Sequence, residues 1–433
     1  MHDGAPMTAI LFGLFGLACL LGLTWLFSRN RTAIDWKLVG TGLVLQLLFA
    51  VFVLLTPWGA RLFGALSEGF VTLLGFTAQG AQFIFGDFAR VEKSGFVFAF
   101  QVLPTIIFFA SLMSVLYHLG IMQAVVRGMA WVITKVMRVS GAETLSVCAN
   151  AFIGQTEAPL VVKPYVARMT ASELLTLMVG GMATIAGGVL GAYVMMLGGN
   201  DPAQQALFAK HLITASIMAA PATLVISKML VPETADPLTM GRVRIEVEKT
   251  TVNVIDAAAA GAADGLRLAL NVGAMLLAFI ALIALLNAPL VWLGEVTGAA
   301  AWLGRPTDLS ALLGLLLAPI AWVIGVPWSE AATVGGLIGT KVVTNEFVAY
   351  LALGDIVQGK VEGVALSEHS VLIATYALCG FANFSSIAIQ LGGIGGLAPE
   401  RRSDLARFGL LAVLGGSIAT LMTATIAGVI ARL

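Results

Sequence analysis

Long apolar runs alternate with short polar strings along this chain. A helix that spans a bilayer needs about 20 mainly apolar residues. Runs of that kind lie at Thr8–Phe27, Leu38–Thr56, Phe96–Tyr117, Leu174–Leu197, Leu207–Leu230, Leu266–Leu286, Val371–Ile394 and Phe408–Val429. They predict about eight crossings. Met122–Val136 and Leu312–Gly325 are shorter or more amphipathic, and predict helices lying on or against the bundle. Glu143–Val166 and Ser329–Leu353 are long enough to enter a membrane but carry polar residues at their centres. They predict re-entrant hairpins, each entering and leaving on one side. Gly59–Val91 is moderately apolar with scattered charges and predicts surface helices.

Four polar strings interrupt the apolar text: Asn150–Glu157, Ala183–Gly188, Thr344–Glu346 and Phe381–Ser386. Ionisable and amide side chains at membrane depth are costly, so they mark a pathway or a binding site. Here they come with Gly and Pro, which let a membrane helix break. Broken helices facing a polar cavity are how secondary transporters build midplane sites. The pattern implies an all-α polytopic membrane protein that carries a solute.

Composition agrees. Of 433 residues, 59% are hydrophobic and 11% charged, against about 25% charged in soluble chains. The net charge of +0 argues against a nucleic-acid partner. Cys19, Cys148 and Cys379 are far apart and make no metal spacing or disulfide framework. His2, His118, His211 and His369 form no H-x-x-x-H pair. Met1–Pro6 carries Asp3 and no Lys or Arg, unlike a cleavable signal.

Basic residues set an orientation. Arg29, Arg31 and Lys37, then Arg127, Lys135 and Arg138, then Arg242, Arg244 and Lys249, then Arg401, Arg402 and Arg407 occupy alternate connections. The positive-inside rule makes these cytoplasmic and both termini external. The opposite loops Gly198–Gln205 and Asn287–Leu309 hold only Arg305. The first hairpin then opens inside and the second outside. A weak internal repeat matches this. Glu143…Gln155-Thr156-Glu157, Ser172-Glu173 and Thr184-Ile185-Ala186-Gly187-Gly188 parallel Glu330…Thr344-Asn345-Glu346, Ser367-Glu368 and Asn383-Phe384-Ser385-Ser386. Each half reads hairpin, linker, broken helix. Opposed hairpins imply inverted topology, with a site at the repeat interface.

At a hairpin tip, backbone groups lose their intrahelical partners. Asn150 and Thr184 offer neutral oxygens there, and the carbonyls around Ile153 and Ile185 offer more. Neutral oxygens without a full charge suit a monovalent cation, since Ca²⁺ recruits carboxylates. The alternative is that Asn150 and Thr184 join helices by hydrogen bonds. A buried Glu157 or Glu346 must pair, hold a proton or bind something. Gln155 and Thr156 beside Glu157 can meet the edge of a flat heterocycle. Glu346, Asn383 and Ser386 can accept vicinal hydroxyls. The alternative pairs the glutamates with lysines such as Lys341 or Lys163. Glu143, Glu173 and Glu330 sit at helix starts, where a carboxylate favours the dipole. Asn253–Gly265 reads as a packing helix at the cytoplasmic surface, and Trp328 as an interface anchor. Gly392–Gly396 follows no strand, so it is not a phosphate loop.

At these strings the chain resembles the concentrative nucleoside transporter family. The matching text is G-Q-T-E-A-P-L at Gly154–Leu160, A-G-G-V at Ala186–Val189, N-V-I-D-A-A-A at Asn253–Ala259, N-E-F-V-A-Y at Asn345–Tyr350 and A-L-C-G-F-A-N-F-S-S-I-A-I at Ala377–Ile389. The resemblance implies a bacterial inner-membrane homotrimer with eight transmembrane helices and two opposed re-entrant hairpins. It implies N-terminal scaffold helices over 1–120 and a first transport repeat over 121–250. A surface helix and a scaffold helix follow over 251–308, then a second transport repeat over 309–433. It also implies that Gln155, Thr156 and Glu157 meet a nucleobase, with Val189 lining the pocket. Glu346, Asn383 and Ser386 would meet the ribose, with Phe381 packing nearby. Sodium, the coupling ion and the sole cofactor implied, would take the Asn150 and Thr184 side chains and the Ile153 and Ile185 carbonyls. The G-Q-T-E-A-P-L string resembles the sodium-coupled branch, with proton coupling as the alternative. The implied partners are a nucleoside such as uridine, sodium and membrane lipid, with transport by an elevator-like movement. A channel would need a continuous polar face along several helices. A membrane-embedded hydrolase would need a nucleophile beside a base, and no His falls within the strings.

Overall fold

The computed structural model describes residues 6–241, 251–303 and 306–433. Arg242, Arg244, Lys249 and Arg305 of the charge pattern, and Met1–Ala5 with His2 and Asp3, lie outside the described residues. Among those described, the chain is helical, with one isolated β-bridge between Ser140 and Met240.

Helices α1 (Pro6–Leu26) and α2 (Trp36–Leu55) are apolar throughout. The Asp35 side chain caps α2 by accepting from the N–H groups of Lys37 and Leu38. In place of several surface helices, one 29-residue helix, α3 (Pro57–Phe85), follows. Thr56 caps it by accepting from Gly59 N at 3.0 Å, and Pro57 occupies its first turn. The next span, Phe98–His118, is mostly α4 (Leu103–His118). Helix α5 (Ile121–Met137) is the first shorter element and turns away at Arg138, whose φ of 55° ends the helix.

The first hairpin rises as α6 (Gly141–Ile153). It descends as a 3₁₀ turn over Ala158–Val162 and a short helical turn over Lys163–Val166. A broken span follows, α7 (Ala171–Ala183) and α8 (Gly187–Gly198), then α9 (Pro202–Leu230). The Asn253–Gly265 stretch and the Leu266–Leu286 span join into a single 43-residue helix, α10 (Val254–Val296). Asn253 caps it through its side chain, and no breaker interrupts it before Pro289. The packing role expected of the small residues holds. A Cβ on Gly265 would lie 2.8 Å from the Cα of Ile107, so α10 runs against the α4 backbone.

The second half repeats the plan. Helix α11 (Leu309–Val323) is followed by a hairpin of α12 (Trp328–Val343) and α13 (Glu346–Val357). A second broken span, α14 (Glu368–Leu378) and α15 (Phe384–Leu397), precedes the last helix, α16 (Arg402–Ile430). Helices α11 and α12 are bent by 115° at Gly325–Pro327. They fold back face to face, with Gly335 seated against Leu317 and Ala318 and Gly339 against Leu313. They are therefore not one span. Seven apolar spans lie at α1, α2, Phe98–His118, α7–α8, α9, α10 and Pro399–Ile430, and the broken pair α14–α15, whose second half is a shorter apolar helix, occupies the eighth run expected from the sequence. The 392–396 glycine run lies inside α15, where Gly393 faces Thr156.

Both arms of each hairpin return to one end of the bundle. Ser140, at the foot of α6, donates to Glu173 at the foot of α7 over 2.5 Å. In the second repeat Ser367, at the foot of α14, donates to Glu330 at the foot of α12 over 2.9 Å. The basic connections gather at the first hairpin's end. Arg29 N–H donates to Leu230 O, and Arg401 donates to Met169 O. Glu143 and Glu173 both complete capping boxes, as their helix-start positions suggest. The core runs through α7, α8 and α9, whose span windows are 89% buried, while those of α1 and α10 are 22% and 17% buried. The fold is an inverted-repeat bundle of about eight crossings with two re-entrant hairpins.

Candidate functional site

The two broken helices meet at their breaks. Thr184 ends α7 and Cys379 ends α14. The N–H of Phe381 donates to Thr184 O at 3.3 Å. This approach requires glycine. A Cβ on Gly380 would sit 2.7 Å from Met182 O, and one on Gly416 of α16 would sit 3.1 Å from the carbonyl carbon of Met182.

The first hairpin tip inserts at the same place. Gly154 has φ +92°, a conformation that releases the chain from α6. A Cβ there would already touch Ala186 at 3.0 Å. A Cβ on Gly187 would lie 2.7 Å from Phe152 O, so the α6 tip abuts the break between α7 and α8. Helix ends leave carbonyls without intrahelical partners. Beyond Ile153 and Ile185 the turns close one residue later, Ala158 N–H going to Gly154 O and Val189 N–H to Ala186 O. Asn150 is fully buried and gives its amide N–H to Ser146 O at 3.2 Å, while its Oδ1 has no partner. Thr184, also buried, donates to Gly180 O at 3.0 Å and keeps its lone pairs. An unpartnered buried oxygen beside two helix-end carbonyls suits a small monovalent cation. The four expected ion ligands thus fall on adjoining turns.

The expected solute residues divide into two groups. Glu346 opens α13 and is buried. Its Oε2 accepts from Asn383 Nδ2 at 3.1 Å, and its Oε1 accepts from Tyr193 OH at 3.0 Å. Asn383 caps α15, its Oδ1 accepting from the N–H of Ser386. Gln155 reaches the same helix start, donating to Ser386 Oγ at 3.2 Å. Gln390, one turn further along α15, donates to Gln155 Oε1 at 3.1 Å and to Met178 O at 3.0 Å. Gln155, Ser386, Asn383 and Glu346 therefore form one network from hairpin tip to hairpin tip. Val189 is buried and Phe381 half-buried beside it.

Two expectations change. Glu157 is exposed rather than buried, as is Thr156 beside it. The pairing of glutamates with lysines does not form. Among the described residues neither Glu157 nor Glu346 makes an ion pair, Lys163 is exposed, and Lys341 donates to Ala377 O and Thr420. A different buried pair exists instead. Lys228 meets Glu143 at 2.8 Å and Glu233 at 3.2 Å at the foot of the first hairpin.

Two residues of the network carry no motif. Tyr193 and Gln390 stand alone inside apolar runs. The rule that polar groups at membrane depth need partners points to both.

Comparison with known proteins identifies the family of the fold. Residues 211–428 match the family described as Na+ dependent nucleoside transporter C-terminus, and residues 15–88 match its N-terminus. Residues 99–200 match a family described as nucleoside recognition. An uncharacterized transporter of Haemophilus influenzae is 44% identical over 97% of each chain. Nucleoside permease NupC of Helicobacter pylori is 40% identical, covering 96% of this chain and 97% of its own. The solved structure of CNTnw in an inward-facing substrate-bound state superposes with a TM-score of 0.86 at 43% identity, over 98% of both chains. With its broken helices crossing beside a hairpin tip, this chain belongs to the concentrative, Na+ dependent nucleoside transporter family and is a membrane transporter rather than an enzyme.

Proposed function

We propose that the chain imports nucleosides, uridine among them, by symport with sodium across a bacterial inner membrane, its termini on the outer side. One observation carries this reading. The first hairpin tip supplies the orphaned Asn150 oxygen to one side and Gln155 to the other. An ion and a solute would thus share a single loop. Sodium at Asn150, Ile153, Thr184 and Ile185 orders the tip, and the ordered tip presents Gln155, with Thr156 and Glu157 beyond it, to the base. Glu346, Asn383 and Ser386 take the ribose, with Phe381 and Val189 against the rings. Each ligand lowers the ordering cost of the other, a coupling typically about 1–3 kcal/mol. The membrane potential adds about 2.3 kcal/mol per charge per 100 mV.

The polar strings all lie in α6–α9 and α12–α16. We read that unit as travelling intact past α4 and α10, with α1 and α2 tied to it, since buried Gln46 of α2 donates to Met218 O of α9 and Thr423 Oγ1 of α16. The exposed apolar face of α10, with Leu270, Leu277 and Leu285 outward, suits a trimer interface. Uptake of labelled uridine by proteoliposomes tests the reading. A sodium gradient should drive accumulation. Accumulation under a proton gradient without sodium, or no accumulation under either, overturns it.

A further inference from the structure

Lys341 is a buried cation that touches no carboxylate, although Glu346 at the start of α13 interacts with it electrostatically. It lies in the last turn of α12, fully enclosed, and among the described residues it makes no ion pair. Its ammonium donates to Ala377 O at 2.8 Å and to Thr420 Oγ1 of α16 at 3.1 Å. The Ala377 carbonyl is free for a specific reason. The N–H four residues on belongs to Phe381, and that group crosses to Thr184 O instead. Cys379 N–H turns back to Tyr376 O and Gly380 N–H to Leu378 O. The end of α14 therefore presents a bare carbonyl and the negative end of its dipole, which favours a cation.

The first repeat has the corresponding arrangement. Asn150 lies in the last turn of the ascending arm α6, and the arm faces α7 where that helix breaks at Thr184. There the arm carries a neutral amide with an unpartnered oxygen, and the positive charge must come from outside. In the second repeat the ascending arm is α12, the breaking helix is α14, and the arm carries its own positive charge. We propose that Lys341 is a tethered cation filling, in the second repeat, the place that corresponds to the sodium site of the first. The ammonium keeps the second break neutralised throughout the cycle, so one repeat responds to sodium and the other does not. This rests on the assignment of sodium to the first repeat.

The test is Lys341→Ala, which removes the ammonium and leaves Ala377 O and Thr420 Oγ1 facing an opening. Sodium dependence is read twice on purified protein: as the melting temperature across a sodium titration against choline, and as sodium ions moved per nucleoside in proteoliposomes. The wild type should move one sodium per nucleoside. Lys341→Ala should melt lower in choline and regain the loss in sodium, with a steeper sodium titration. A second sodium should move, or remain bound, per nucleoside. Adding Thr420→Val to Lys341→Ala should abolish the regained stability. If Lys341→Ala shows the wild-type sodium response, or is equally unstable in sodium and choline, the proposal is overturned. If the wild type itself ignores sodium, the proposed symport fails first, and the two failures are distinguished.

Discussion

The N–H of Phe381 donates to the carbonyl of Thr184 at 3.3 Å, joining the break in one helix to the break in another almost 200 residues away in sequence. The bond exists because Gly380 and Gly416 let the α7 backbone approach. Gly380→Ala would place a methyl group 2.7 Å from Met182 O, a backbone atom that cannot swing aside. Overpacking of this kind costs about 1–3 kcal/mol. Thermal unfolding in detergent should show Gly380→Ala and Gly416→Ala melting several degrees lower, with reduced uptake. Gly392→Ala, where an added Cβ meets nothing within 4 Å, should melt as the wild type does. Equal melting of all three variants would show that the crossing is not close-packed.

Much of this was legible in the sequence. Apolar runs of bilayer length located the crossings, since in lipid the backbone must satisfy itself within helices. The four polar strings converge because such groups are tolerable at membrane depth only where they can partner one another or a ligand. Two features were less legible. The exposure of Glu157 depends on which neighbours the hairpin tip meets in space, which a residue list does not encode. Lys228, Tyr193 and Gln390 acquire partners only by tertiary contact, and hydropathy reads each as a lone interruption of a span. The continuity of α10 was hidden by its small residues, which resemble a surface stretch until α4 is placed against them.

Sodium binding at the first hairpin predicts separable defects. Asn150→Ala removes the orphaned oxygen, and Thr184→Ala removes a hydroxyl. Loss of one such ligand is worth about 1.4 kcal/mol, a factor of ten. Both variants should raise the sodium concentration for half-maximal uptake by roughly that factor. Nucleoside binding at saturating sodium should change less. Sodium titrations of uptake and of ligand binding check this. Unaltered sodium dependence in both variants removes the assignment.

The Glu346 carboxylate, held by Tyr193 and Asn383 at 3.0 and 3.1 Å, should accept a ribose hydroxyl. A hydrogen bond to a charged group is worth roughly 1.5–3 kcal/mol, about ten- to a hundredfold in affinity. In the wild type, a deoxynucleoside lacking that hydroxyl should bind more weakly by this factor. In Glu346→Gln the nucleoside itself should weaken, and the deoxy-analogue should lose little more. Competition binding across both proteins gives the answer. Equal deoxy penalties in the two backgrounds would separate Glu346 from the sugar.

Lys228 stands between Glu143 and Glu233, 2.8 and 3.2 Å from them, with Ser172 Oγ at 3.0 Å. It ties α9 to the foot of the first hairpin. Removing one partner of a buried pair is costly, about 3–5 kcal/mol, because the other charge stays buried. Lys228→Met should therefore lower the melting temperature sharply. Lys228→Met with Glu143→Gln should recover much of the loss. A double variant no more stable than the single one would show that Glu143 does not depend on Lys228.

Movement of the unit is the furthest-reaching expectation. Helix α8 lies against α4, with Gly188 about 3.9 Å from the Ala110 backbone when a Cβ is placed on it, and Gly191 at the ring of Phe109. The contacts are apolar and, among the described residues, carry no hydrogen bond that a displacement would have to break, so one body can slide past another once the Gly191–Phe109 packing is released. All four polar strings lie on the α8 side of that surface, so the site can travel without being taken apart. A rocking mechanism would hold the site near midheight while helices tilt around it. Cysteines at Ala110 and Gly188, in a background lacking Cys19, Cys148 and Cys379, should cross-link in one state only. In the opposite state Ala110 should pair with a position one or more helical turns along α8, which is about 5.4 Å per turn along the membrane normal. Either cross-link should stop uptake, and reduction should restore it. The moving-unit reading fails if the Ala110–Gly188 link forms equally in both states and leaves uptake intact.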